Sequence, residues 1–327
     1  MGALSQQVGE AGSMVSAVDA VTDVKALRVE LAAAAAGVFA LALFAAIAAR
    51  SGGFFFFALG YLLFLVCLGT GFNAAGVVLM DESAGAEPRP FVDALVAGAF
   101  AWLKSVAVFL LAGIALVVMF VVVAILLWVC KIPGIGPILF FIVFPLSAVA
   151  FGVAFVALAF VLVPVAFPAL WSGQGVVAAV ARVAMTVRKR LLAVLVRGLV
   201  LFLLVGVASG VVWFAAIGGL FAAGAMSVGI LHTAFNPAAL AGMLGGGLSE
   251  GGYALAAMLG AVLLLVTAGT ALSQILKKGW CLIYMQLVRD LDVGAVEAEM
   301  QARLARVRQQ ATAMRDRVQQ QTAAAHR

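Results

Sequence analysis

The sequence predicts an all-α, polytopic membrane protein with about six transmembrane helices. Three observations carry this. Hydrophobic residues make up 66% of the chain and charged residues 10%, against roughly 25% charged in an ordinary soluble domain, and a soluble fold has no way to hide that much apolar surface. Six stretches stay apolar over the roughly 20 residues needed to cross a hydrocarbon layer about 30 Å thick. They are continuous runs rather than the short alternating segments of a barrel, so backbone bonding in lipid makes each a helix.

Residues 1–14 read as a flexible N-terminus. No compact basic-then-apolar leader precedes the first run, at 29–49, which is therefore read as an uncleaved signal anchor. RSGG connects it to the second run, 54–80. The third, 105–130, reaches the fourth, 138–171, through KIPGIGP. At 34 residues the fourth is too long for one upright crossing, and Pro145, Pro164 and Pro168 predict a kinked helix whose last turns lie along the interface. The fifth and sixth runs, 191–223 and 253–276, flank a Gly-rich stretch containing GILHTAFNPAALAGMLGGG, which is expected at the outer mouth as a re-entrant or interfacial segment.

Charge sets the orientation. If the six runs alternate, 18 Lys and Arg residues fall on one face and only Arg50 and Lys131 on the other. Cytoplasmic loops concentrate Lys and Arg, so both termini are expected in the cytoplasm of a bacterial inner-membrane protein. Arg182, Arg188, Lys189, Arg190 and Arg197 crowd the entrance to the fifth run with no acid beside them. They are candidate topology and lipid-headgroup residues, anionic headgroups adding about 1 kcal/mol for each nearby charge. Arg197, a little deeper, is expected to snorkel to the interface. The net charge of +6 comes without the basic face and stacking aromatics of a nucleic-acid binder. No nucleic-acid partner is expected.

A threefold pattern recurs. VDAVTDVKALRVEL, VDALVAGAFAWLKS and VAAVARVAMTVRKR each place small and apolar residues at helical spacing, carry a cation toward the end and lead into an apolar run. Val176, Val180, Val183 and Val187 keep one face of such a helix. The expected domain, residues 15–276, is thus three modules of interfacial helix plus hairpin, at 15–80, 90–171 and 175–276.

Within the runs, Asn73 and Gln274 are the candidate polar residues, either bonding across helices or lining a pathway; Thr267, Thr270 and Ser273 accompany Gln274. No acid is expected at mid-membrane, which argues against a carboxylate relay. Gly206 and Gly210 form a GxxxG, and Ala32–Ala36 a second small-residue face, both suited to close helix approach. Residues 277–327 are read as a cytoplasmic segment. It starts with an interface stripe of Trp280, Ile283, Tyr284, Leu287 and Leu291. A short seam of Leu304, Val307, Ala311, Met314 and Val318 follows, a candidate for self-association or partner docking.

Catalysis has little foothold. His232 and Glu250 share the outer loop, but no hydrolase, metalloprotease or nucleotide-binding motif surrounds them. Cys67, Cys130 and Cys281 are widely spaced and read as small hydrophobes, leaving no expected disulfide, metal or cofactor.

IPGIGPILFF, LVPVAFPALWSGQG and AVARVAMTVRKRLL, in this layout, resemble bacterial polytopic families related to the membrane domain attached to some glycerophosphodiester phosphodiesterases. The resemblance covers roughly residues 15–290. It implies a helical integral-membrane fold and carries over no catalytic residue, because the phosphodiesterase chemistry belongs to a separate soluble domain. The expected function is non-enzymatic assembly, as an oligomer or membrane subunit of a larger complex, with membrane lipids as partners. The alternative is a permease or channel for a lipid-like or neutral solute.

Overall fold

A computed structural model describes residues 16–51, 53–231 and 252–289, together with Arg306 and Gln309. Among the described residues the chain is all-helical, with no strand. A 3-10 turn, Ser16–Thr22, leads into α1 (Val24–Ser51), α2 (Phe54–Ser83), α3 (Phe91–Val129) and α4 (Gly136–Ala157). A π turn, Leu158–Leu162, joins α4 to α5 (Val163–Trp171), and α6 (Val176–Leu231) and α7 (Gly252–Arg289) complete the bundle.

Five helical stretches are long and apolar enough to cross a membrane: Val24–Ala48, Phe54–Ser83, Phe91–Val129, Gly136–Trp171 and Val176–Met226. The multi-pass class read from composition therefore stands. The sixth expected run falls within α7, and the tail seam of Leu304, Val307, Met314 and Val318 lies outside the described residues, as do His232 and Glu250.

Local chemistry explains the boundaries. Asp23 starts α1 by accepting the backbone N–H groups of Lys25 at 2.9 Å and Ala26 at 3.3 Å on its Oδ1, an N-cap that satisfies two otherwise orphaned donors. The connections after α2, α3 and α5 turn at Gly85, Gly134 and Gly173, whose φ angles of 73°, 89° and 91° lie where a side chain is strained. Pro164 removes one backbone donor and crowds the carbonyl four residues earlier. The π turn absorbs this: the Val163 N–H reaches back five residues to the Leu158 carbonyl.

The three short segments read as interfacial helices fare differently. In the third, helical geometry breaks at Arg190 (φ −140°, ψ 22°), inside the basic cluster. In the second, α3 runs unbroken from Phe91 to Val129. Gly98, its one flexible position there, is used for contact instead: a methyl at Gly98 would lie 2.5 Å from the Ala74 Cβ. In the first, the 3-10 turn takes residues 18–22 and the rest, from Val24, is already the start of the long helix α1.

Packing is concentrated at one end of the bundle. There the second half of α2, the first half of α3, α5, the first half of α6 and the last half of α7 bury a common core around Leu79, Val165, Trp171, Val194, Leu201 and Ile283. The far portions of α3, α4 and α6 bury little and present Phe120, Phe141, Phe155, Phe214 and Phe221 outward. In lipid, such surface needs no protein cover.

Candidate functional site

The capped start of α1 sets the register that places Ala26, Val29, Glu30, Ala33 and Ala34 on one buried face. On α7, Thr270, Gln274, Lys277, Cys281 and Tyr284 recur every three or four residues and form a matching face. Where the faces meet, Lys277, with no exposed surface, donates to Glu30 Oε2 at 2.6 Å. Ser273 Oγ bonds the same carboxylate at 2.9 and 3.0 Å, and Gln274 Nε2 also donates to Oε2. The Lys277 ammonium sits 4.6 Å from the centre of the Phe72 ring, close enough for a cation–π contact. Gln274 Oε1 is buried there without a hydrogen-bond partner among the described residues.

Phe72 separates this charged cluster from a neutral one. Its neighbour Asn73, 2% exposed, uses Oδ1 to accept from Trp171 Nε1 at 2.9 Å and Ser105 Oγ at 3.2 Å, while Nδ2 donates to the Gly69 carbonyl at 2.8 Å. Asn73 thereby ties α2 to α3 and α5. Around it Phe72, Phe167, Trp171 and Trp280 pack with ring centroids 5.8–6.2 Å apart, a spacing that favours edge and offset contacts. Among the described residues, Asn73 is enclosed by packed side chains.

The two predicted polar residues are thus both in the site, in adjoining clusters. Thr267 is outside the site, bonding the Leu263 carbonyl, and Thr270 lies on the buried face of α7 with its hydroxyl bonded to the Thr267 carbonyl of the same helix. Trp280, Ile283, Tyr284 and Leu287, expected as an interface stripe, are core residues of a helix that continues without interruption past position 276. Of the five basic residues, Arg188, Lys189 and Arg190 are exposed and Arg197 is half-buried. Arg182 is buried, donating to the Tyr284 hydroxyl with its guanidinium 5.7 Å from that ring. A nearby cation, Lys104, donates to the Gln174 carbonyl at 3.1 Å in the turn before α6. Gly206 and Gly210 are open to the outside of the bundle.

Sequence reasoning missed Glu30, Lys277, Trp171 and Ser105. Glu30 was the findable one, because an acid at the head of an alanine-rich apolar run needs a partner or a route to water.

Chemically the charged cluster fixes geometry. Both Glu30 oxygens accept bonds, and the joined groups lie on the first and the last described long helices. Among the described residues, no three His, Cys, Asp or Glu side chains come together as a metal-binding group. No family model matches the chain, and no match is found among curated proteins or solved structures.

Proposed function

We propose that the chain is a non-enzymatic integral inner-membrane protein of a bacterium that acts in assembly, as an oligomer or as the membrane subunit of a larger complex. It crosses the bilayer six times, in the three modules of residues 15–80, 90–171 and 175–276, with both termini in the cytoplasm. The charged and aromatic clusters hold the bundle shut at one end, and the far portions of α3, α4 and α6 offer surface to other membrane helices.

A contrast between two sets of glycines supports this most. At the packed end, glycines mark close approaches: a methyl at Gly69 would collide with Trp102, at Gly76 with Trp171, at Gly279 with Leu201, and at Gly71 it would lie 2.6 Å from the Ala33 Cβ. At the far end, a methyl at Gly113, Gly152, Gly206, Gly210 or Gly218 would meet nothing within 4 Å. Glycine inside a helix costs about 1 kcal/mol relative to alanine, and nothing among the described residues offsets that cost at the far positions. Contact with another helix, through the GxxxG of α6 above all, does. The alternative, a permease or channel for a lipid-like or neutral solute, draws on Asn73, the broken fourth span and the outer loop, and the burial and hydrogen bonds of Asn73 lend it less support.

Particle mass in mild detergent tests the proposal. The wild type should be larger than one chain, and Gly206→Leu with Gly210→Leu should reduce it to a monomer while helix content and melting behaviour hold. A wild type that is monomeric and co-purifies with no other membrane protein would overturn it. Truncation after residue 293 asks separately whether the tail takes part. The topology is checked by Ser172→Cys, which impermeant thiol reagent should reach only after the cells are opened.

A further inference from the structure

Where α1 begins and α2 ends, the 3-10 turn and α7 close around a cleft of about 450 Å³. This volume is within the range of small-molecule sites. Asp19, Asp23, Lys25, Glu82 and Lys278 supply its charges, with Thr22 between them and Ala20, Val24 and Pro88 as apolar wall. Its position is set by the spans: Val24 opens the first apolar crossing and Glu82 lies in the last turn of the second. The cleft therefore lies at the ends of two helices long and apolar enough to cross a membrane.

Three of these five charged groups are already engaged. Asp23 caps α1, so the positive end of that helix is answered from within the chain. Lys278 pairs with Glu82 across the cleft. The carboxylate of Asp19 and the ammonium of Lys25 have no ion pair or side-chain hydrogen bond among the described residues. One unmatched charge of each sign, on the wall of one cavity, is a feature that neither an anion nor a cation alone would complement.

We infer that this cleft binds a zwitterionic phosphate–ammonium group of the phosphoethanolamine type, its ammonium toward Asp19 and its phosphate toward Lys25. An ammonium with N–H donors meets the carboxylate by charge-assisted hydrogen bonds, as the phosphate meets the lysine. A purely anionic group is disfavoured by three acids set against two lysines. A bare divalent cation lacks a cluster of three ligating side chains here. The chemistry is shared by the headgroup of phosphatidylethanolamine and by the free small molecule, and the apolar wall of Ala20, Val24 and Pro88 suits the glycerol end of the former. Through Lys278, paired with Glu82, the site adjoins Lys277 and its pair with Glu30.

Native mass spectrometry of the full chain, released from mixed nanodiscs of phosphatidylethanolamine, phosphatidylglycerol and phosphatidylcholine, reads the preference. Wild type should retain phosphatidylethanolamine about tenfold over the other two, and Asp19→Asn with Lys25→Gln should lose that preference. Those two side chains are exposed and make no bonds, so melting in lipid-free detergent should be unchanged. Isothermal titration with free phosphoethanolamine separates the sources. Heat in wild type that vanishes in the variant assigns the site to the free molecule, whereas lipid retention without such heat assigns it to the headgroup. Equal retention of the three lipids together with no heat overturns the inference, and so does a preference that survives in the variant.

Discussion

Glu30 and Lys277 are 247 positions apart in the chain and 2.6 Å apart in space. Their pairing closes the packed end of the bundle by fastening α1 to α7, and the Phe72 ring beneath the ammonium extends the tie to α2.

Breaking that pair from one side should cost more than removing it. Lys277→Met or Glu30→Leu alone leaves a buried charge uncompensated and is expected to lower stability by about 3–5 kcal/mol. Glu30→Leu combined with Lys277→Met, which removes both charges while keeping volume, should be far milder than the sum of the single changes. Unfolding in denaturing detergent, followed by helix content for the four proteins, measures the coupling.

Asn73→Ala should destabilise by about 1–3 kcal/mol, since it strands the Trp171 indole N–H in a closed core. Trp171→Phe, which removes the donor and leaves a ring, should cost less in the same unfolding assay than Trp171→Ala, for which about 3–5 kcal/mol is expected.

Glycine substitutions should divide by position. Gly76→Ala drives a methyl into the Trp171 indole, and overpacking of this kind typically costs about 1–3 kcal/mol. Gly113→Ala meets no atom among the described residues, so in the dissociated single chain helix propensity alone acts and should add up to about 1 kcal/mol. Melting temperatures of the two variants should move in opposite directions.

Cys281 has no exposed surface, being enclosed where α7 meets the core. In a variant with Cys67→Ala and Cys130→Ala, a maleimide should label it only on unfolding. Lys277→Ala should bring labelling to a lower denaturant concentration, reporting the same tie by an independent readout.

The apolar runs were legible because hydrocarbon thickness imposes a minimum length that soluble cores do not. Which faces of those runs find protein was not legible, since lipid and protein interior are similarly apolar and hydrophobic periodicity no longer separates them. Trp280 and Tyr284 show the difficulty. Their amphipathic rings suit a membrane interface, yet Trp280 stacks on Trp171 and Tyr284 receives Arg182. Asn73 and Gln274 stood out because an amide in an apolar run calls for partners, but their partners come from distant segments that no local pattern names. Glycine held more of the answer than the apolar residues did: Gly71, Gly76 and Gly98 each mark a crossing of helices.

The wide turn at Leu158–Leu162 decides which way the end of the fourth crossing looks. Inserting one residue into a helix rotates everything beyond it by about 100°. Phe167 and Trp171, on the short helix after the turn, face the Asn73 core rather than the acyl chains only in the register that this extra residue provides. Deleting a single residue between 158 and 162 would swing both rings toward lipid and leave Asn73 without its indole, so the length of this stretch carries the placement of two rings that lie beyond it.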